Sequence, residues 1–249
     1  MFQEERLAQI LSMINEKKFV TSEELKNTLY VSLSTVRRDL AELDRRGLIV
    51  RSHGGAIAKS EAEVQTPVGL GADPLAEPKT AVAQRAAELV SDGDVLFLSA
   101  SSTVLPMAAF LREKKNLTVV TNSMQMVSLL SGGGNTIYGS GGLYVQRNGA
   151  LYGNDAIELI SSFYYDKAFF SCHAISSQGV IGYNSAQVAS VVKAAMLRAK
   201  KRICMFTGDK LDKTALRSAF TASQIDLFIT DLPDVPRELA PKTLQVSPP

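Results

Sequence analysis

The sequence predicts an α/β protein in two parts, an N-terminal winged helix-turn-helix and a larger, mainly parallel α/β domain behind it. Three observations predict this. Leu33, Val36, Leu40 and Leu43 recur at the three- and four-residue spacing of a helix that follows closely on another. Beyond residue 79, short apolar runs alternate with helical ones, the pattern of strands covered by helices on both faces. In between, from Ala58 to about Pro78, periodicity vanishes, and Thr66-Pro67, Gly69-Leu70-Gly71, Asp73-Pro74 and Glu77-Pro78 interrupt any helix longer than a turn or two. The expected division is therefore 1–58, a linker over 59–78, and 79–249.

In the first module, Leu7, Ile10, Leu11 and Ile14 give an amphipathic helix whose expected partners are Leu25, Leu29, Leu40 and Leu43. Thr21-Ser22-Glu23-Glu24 matches the S/T-x-x-E capping box, in which each side chain satisfies the other's free backbone donor, and starts a short helix to about Leu29. A tight turn through Tyr30 and Val31 leads into the next helix, with Ser32 at its N-cap and Gly47 at its left-handed C-cap position. Opposite the apolar stripe stand Ser34, Thr35, Arg37 and Arg38. Hydroxyls and guanidiniums there can donate to base edges and phosphates, so this helix suits a DNA major groove. Leu48 to Arg51, His53-Gly54-Gly55 and Ala56-Ile57 read as strand, turn and return strand, which is a wing. Plainer roles stay open for single residues. Arg45 and Arg46 suit a solvated helix end facing the negative pole of the dipole, and Arg37 or Arg38 has a surface pairing with Asp39 or Glu42 open to it, worth only ~0.3–0.5 kcal/mol.

A chain of 249 residues is too long for this module alone and suits one further domain. With 45% hydrophobic and 21% charged residues it can bury a core. The formal net charge of +2 does not mark a nucleic-acid binder; the signal is local, in Arg37, Arg38, Arg45, Arg46 and Arg51. Cys172 and Cys204 each lie in an apolar run, as buried thiols of a reducing cytoplasm would, and their spacing suggests no metal site. Glu4, Glu5 and Arg6 do not open a signal peptide, and the most apolar window, Val95 to Leu111, is interrupted by Ser99, Ser101, Ser102 and Pro106. A cytoplasmic protein with no membrane partner is expected.

The second domain begins with a helix from about Lys79 to Val90, the turn Ser91-Asp92-Gly93-Asp94, the strand Val95–Leu98, a polar loop and a helix through Leu111. The unit repeats as strand Leu117–Thr121, loop and cap Asn122-Ser123, and helix Met124–Leu130. Later strands are expected at Thr136–Tyr138, Lys167–Cys172, Arg202–Thr207, Leu227–Thr230 and Leu244–Val246, with a long helix from about Ala186 to Lys200. In such a sheet ligands bind beyond the carboxyl ends of the strands. The loops there are Ser99–Thr103, Thr121–Ser123, Gly139–Gly142, Ser171–Ala174 and Thr207–Lys210. Hydroxyls, glycines and one lysine suit an anion, and a phosphorylated small molecule is the natural expectation. Ser101, Ser102 and Thr103 would equally cap the helix that follows, ligand or not. Cys172 and His173, adjacent on a strand, point to opposite faces and cannot act as a pair.

Residues 6–57, above all Ser34-Thr35-Val36-Arg37-Arg38-Asp39-Leu40 followed by Gly47-Leu48 and His53-Gly54-Gly55-Ala56, resemble the winged helix of the DeoR family of bacterial transcriptional regulators. The resemblance implies that Ser34, Thr35, Arg37 and Arg38 contact DNA, with Arg51 and His53 near phosphates or the minor groove; Ser32 completes the expected set. From about Pro78 to Asp231 the chain is also similar to that family's effector domain, through Asp92-Gly93-Asp94, Thr121-Asn122-Ser123, Gly141-Gly142, Asp166-Lys167-Ala168-Phe169, Asn184, Val192-Lys193, Met196, Lys210 and Ile229-Thr230-Asp231. This implies a ribose-5-phosphate-isomerase-like fold and a sugar-phosphate effector. The expected effector-binding residues are Ser99, Ser101, Ser102, Thr103, Asn122, Ser123, Gly141, Gly142, His173, Gln187 and Lys210.

The departures from the family pattern carry chemistry. Ser99-Ala100-Ser101-Ser102-Thr103 stands where the family usually has Asp-x-Gly-Thr-Thr, His173 where an aspartate is usual, Gln187 for a glutamate and Thr207 for an aspartate. Lost carboxylates lower repulsion toward an anion and remove candidate general bases, favouring binding over turnover. The leading expectation is a ligand-responsive regulator, implied by the family to be a repressor, that binds operator DNA as a homodimer or homotetramer and needs no cofactor, metal or catalytic residue. A symmetric pair of helices would read two half-sites. Two alternatives stand beside it, a sugar-phosphate isomerase with a DNA-binding appendage, and a winged helix that binds protein.

Overall fold

The computed structural model describes residues 3–17, 19–46, 48–52, 55–58, 73 and 75–246, and the chain divides into two compact units, Met1–Gln65 and Thr66–Pro249. In the first, α1 (Gln3–Lys17), β1 (Phe19–Thr21), α2 (Ser22–Leu29) and α3 (Leu33–Arg45) precede the ribbon β2 (Ile49–Ser52) and β3 (Gly55–Ala58). Leu7, Ile10, Ile14, Leu25, Leu29, Val36, Leu40 and Leu43 form one buried cluster with Val20, Ile49 and Ala56. Each such aliphatic side chain contributes ~1.5–3 kcal/mol by leaving water.

The ribbon has a third strand that the sequence pattern does not announce. β1 pairs antiparallel with β3, in the order β1-β3-β2; three residues are too few for a period-2 signal. The capping box at α2 forms by one arm only. Thr21 Oγ1 accepts from the Glu24 N–H at 3.1 Å, whereas the Glu24 carboxylate takes Lys17 Nζ at 2.5 Å. Gly47 and the turn residues His53 and Gly54 lie outside the described residues.

The second unit is built on a seven-stranded sheet. Its first half is α4 (Ala76–Ala87), β4 (Val95–Leu98), α5 (Met107–Leu111), β5 (Thr118–Thr121), α6 (Met124–Leu130) and β6 (Thr136–Gly139), closed by a hairpin of β7 (Leu143–Val145) and β8 (Ala150–Tyr152). The second half is α7 (Asn154–Ser161), β9 (Tyr165–Phe170), β10 (Ala174–Ile175), β11 (Val180–Tyr183), α8 (Ala186–Met196), β12 (Ala199–Phe206), β13 (Arg217–Thr221), β14 (Leu227–Thr230) and β15 (Thr243–Gln245). The strand order is β15-β14-β12-β9-β4-β5-β6, and every pairing in it is parallel.

Alternation along the strands builds two faces. Leu96, Leu98, Val119, Phe169, Ile203, Met205 and Ile229 pack with residues of α4, α5 and α6. Phe97, Val120 and Ala168 meet Ile160 of α7 and Val191 and Ala195 of α8, while Phe170, Cys204, Phe206 and Phe228 pack beside them against the small sheet β10-β11-β13.

Two boundaries differ from expectation. Helix α4 starts at Ala76, so Pro78 occupies its first turn, where the missing N–H would have no partner anyway. Helix α8 stops at Met196, because Ala199 and Lys201 pair with Tyr165 and Lys167 on β9; sheet pairing overrides the helical leaning of Lys-rich sequence. Helix α7, the hairpin and the small sheet had no counterpart in the sequence pattern. Among the described residues no helix is long and apolar enough to cross a membrane.

Candidate functional site

Two places gather polar chemistry. The first is the outer face of α3. Ser32 caps the helix, its Oγ accepting from the Thr35 N–H at 3.1 Å, and the same oxygen lies 2.7 Å from Ser34 Oγ and 2.8 Å from Thr35 Oγ1. Three hydroxyls thus cluster over the positive end of the helix. One turn on, Arg37 and Arg38 are exposed, and neither makes an ion pair among the described residues.

The two carboxylates that could have held them are occupied. Asp39, fully buried, receives Arg6 Nε at 2.5 Å and Nη2 at 3.1 Å, and Glu42 receives Arg46 Nε at 2.7 Å. Asp39 lies three residues after Val36 and four before Leu43, so the periodicity that marks the buried stripe already includes it. Arg51 falls on β2; His53 lies outside the described residues.

The second place is the crevice above β4 and β9. Strand order reverses there, with β5 and β6 to one side and β12, β14 and β15 to the other, so the two loops part and leave an opening. The β4 loop supplies Ser99 and Thr103, both buried, and Ser101 and Ser102, partly exposed. The β9 loop supplies Ser171 and His173. From the turn after β12, Lys210 Nζ donates to Ser171 Oγ at 2.8 Å and Thr103 Oγ1 at 3.1 Å, joining the three loops. Burial pushes the Lys210 pKa down, since its oxygen partners there are neutral.

His173 stands against Tyr183 edge to face, ring centroids 5.7 Å apart, and its buried Nδ1 has no hydrogen-bond partner. Burial, with the charges of Lys210 and Arg147, pushes its pKa down to about 4, so the imidazole is neutral at neutral pH. Arg147 comes from the turn between β7 and β8, which is bound to the β5 loop through Met124 N–H to Gly149 O and Leu151 N–H to Asn122 O.

The remaining expected residues divide. Asn122 is spent on structure, its Oδ1 accepting from Ala100 N–H at 2.8 Å and its Nδ2 donating to Leu151 O at 3.2 Å. Ser123 caps α6 by accepting from Met126 N–H, and Ser101 Oγ accepts from Thr103 N–H. Gly141 and Gly142 are exposed beyond β6 at φ +67 and +93; a side chain on Gly142 would run into the Tyr152 carbonyl. Gln187 is exposed in the first turn of α8 and bonds none of these groups.

Two features escaped the sequence pattern. Arg147 lies in a stretch without periodicity. Ser102 also borders a cleft of about 370 Å³ between α4 and α5, with Lys79, Thr80, Leu105, Ala109 and Arg112. Asp94 and Lys167, in stretches that carry the resemblance, pair at 2.6 Å at the amino ends of β4 and β9, away from the crevice. Among the described residues no group of three or more metal-ligating side chains forms, and Cys172 and Cys204 are free buried thiols.

Comparison with known proteins covers both units. Residues 6–62 match the model of the DeoR-like helix-turn-helix domain, and residues 75–232 match that of the DeoR C terminal sensor domain. The HTH-type transcriptional repressor GlcR of Bacillus subtilis is 35% identical over 93% of this chain and 89% of its own length. The transcriptional repressor AccR of Agrobacterium fabrum is 30% identical over 92% and 89%. Among solved structures, ribose 5 phosphate isomerase A from Neisseria gonorrhoeae aligns with 55% of this chain and 53% of its own at a TM-score of 0.40 and 14% identity.

Proposed function

Because the chain belongs to the DeoR family of transcriptional regulators, built from a DNA-binding helix-turn-helix and a sensor domain, we propose that it is a cytoplasmic repressor whose operator affinity is set by a phosphorylated small metabolite. The observation that carries the DNA half is the outer face of α3, with three clustered hydroxyls and two exposed arginines that no carboxylate among the described residues occupies. Ser32, Ser34, Thr35, Arg37 and Arg38 are the proposed contacts from α3, with Arg51 and His53 from the wing.

One such helix reads few base pairs, so specific binding calls for two half-sites and a homodimer or homotetramer. Exposed Tyr138, Leu143 and Tyr144, on edge strand β6 and the hairpin beside it, give such an assembly apolar surface. The effector is proposed to sit above β4 and β9, its phosphate on Lys210 and the hydroxyls of Ser99, Ser101, Ser102 and Thr103. The loops of Asn122, Ser123, Gly141 and Gly142, and Gln187 at the start of α8, complete the proposed effector-binding set.

The test is operator binding by the Arg37→Ala/Arg38→Ala double variant across a salt series. Affinity should fall about 100-fold, two contacts at ~1–3 kcal/mol each, and the salt dependence should flatten. Binding as tight and as salt-sensitive as that of the unaltered protein would remove this helix from the interface.

A further inference from the structure

The cleft between α4 and α5 has a chemistry of its own. At about 370 Å³ it falls within the size range of small-ligand sites. Small residues on both helices, Ala76 on α4 and Ala108 and Ala109 on α5, leave the gap, and Leu105, Pro106 and Leu129 wall it with apolar surface. It stands next to the crevice without being part of it: Ser102 lines the cleft, and the following residue, Thr103, takes Lys210 Nζ at 3.1 Å.

The charged lining is unequal. Its cations are Lys79 and Arg112, and its one carboxylate is Asp73. Asp73 is paired with Lys79 at 2.8 Å, so those two charges cancel and the guanidinium of Arg112 is left over. Arg112 is exposed and makes no ion pair among the described residues; its Nη2 reaches the Leu129 carbonyl at 3.4 Å, long for a hydrogen bond, and most of its N–H donors remain for another partner.

A sugar or a bare phosphate placed here would leave the apolar walls in water, and a hydrocarbon would gain nothing from Arg112. An anion that carries an apolar body answers both. One uncompensated positive charge matches one negative charge, and the planar fork of a guanidinium fits the two oxygens of a carboxylate. We infer that this cleft is a second ligand site and that it takes a small amphipathic carboxylate, aryl or acyl, with its head on Arg112 and its body on Leu105, Pro106 and Leu129. The inference goes beyond the phosphorylated-effector reading and does not depend on what the crevice binds.

The experiment is calorimetric titration of the full chain at low salt with phenylacetate and octanoate, each against its own uncharged amide. At least one acid should bind about tenfold more tightly than its amide, the difference that a charge-assisted bond makes. Arg112→Gln should reduce that preference to about threefold or less. Ala109→Trp, which fills the cleft from an exposed position on α5, should remove binding of acid and amide alike. Unchanged thermal unfolding shows that the variants fold, and Thr80→Trp, also exposed and on the α4 side, supplies the same block should α5 not accept the larger ring. Failure of both acids to bind at millimolar concentration overturns the inference. So does an acid held no better than its amide, a preference that survives Arg112→Gln, or binding that survives the tryptophan.

Discussion

The outer face of α3 and the crevice above β4 and β9 use similar side chains in opposite ways. On α3 the arginines stand exposed, while the acids that could have bound them are turned to Arg6 and Arg46. In the crevice, Lys210 is drawn inward onto hydroxyls and Asn122 is consumed in joining loops. The first surface is prepared for a large polyanion by leaving charge free in water, where it costs little. The second, as proposed, meets a small anion with charge set among neutral dipoles, where it costs more and therefore discriminates more. A surface of the first kind yields affinity that salt erodes; one of the second kind yields selectivity that salt hardly touches.

The contrast can be broken at several points. The largest effect belongs to the two exposed arginines, whose joint removal should leave thermal stability unchanged while operator binding collapses. Next is Arg6→Ala, which strands the buried Asp39 carboxylate and should cost the N-terminal unit about 3 kcal/mol. Heat or urea unfolding followed by hydrogen exchange should show loss of protection in α1 to β3 and none in the seven-stranded sheet. An unchanged N-terminal unit would mean that Asp39 is satisfied without its partner.

A smaller effect concerns the crevice. The folded pKa of His173, about 4, lies below the ordinary value of 6.5, so the unfolded chain binds the proton more tightly. Its contribution to stability is full above pH 6.5, declines as the pH falls toward 4 and is level below that, a loss on the order of 2 kcal/mol after allowing for its partial exposure. His173→Gln should flatten that part of the curve measured by urea unfolding between pH 7 and pH 4.5. The same slope in both proteins would show that the ring is solvated. Smallest is Ser32→Ala, which removes the cap of α3 and should cost about 1 kcal/mol in thermal unfolding; no change would show that Ser34 or Thr35 replaces it.

The two regions also differ in how far sequence alone exposes them. Ser32, Val36, Leu40 and Leu43 lie within a dozen residues, so their spacing states both the helix and its buried side, and the polar face follows by subtraction. The seven strands were visible because each is a short apolar run, and parallel layering follows from their alternation with helices. The crevice is different. Thr103, Ser171 and Lys210 meet only because β4, β9 and β12 are neighbours, and spacings of 68 and 39 residues carry no period to read. Arg147 carries no sequence signal for the same reason. Asn122 and Ser123 stood out because polar residues after a strand suggest a ligand, yet their side chains are occupied in closing the β5 loop and starting α6. Alanines and lysines carry the expected helix α8 on to Lys200, but a neighbouring strand claims its last residues.

The reversal of strand order between β4 and β9 has a consequence for how the molecule matures. One wall of the crevice is complete by residue 103, but its facing wall arrives only with residues 171 to 210, after a second set of strands has docked on the free edge of the first. A nascent or clipped chain that ends ahead of β9 would already carry the whole of α3 yet lack half of the proposed effector site. If the effector sits in the crevice as proposed, such a fragment would keep its DNA-binding helix without the effector site, so responsiveness is acquired last during synthesis.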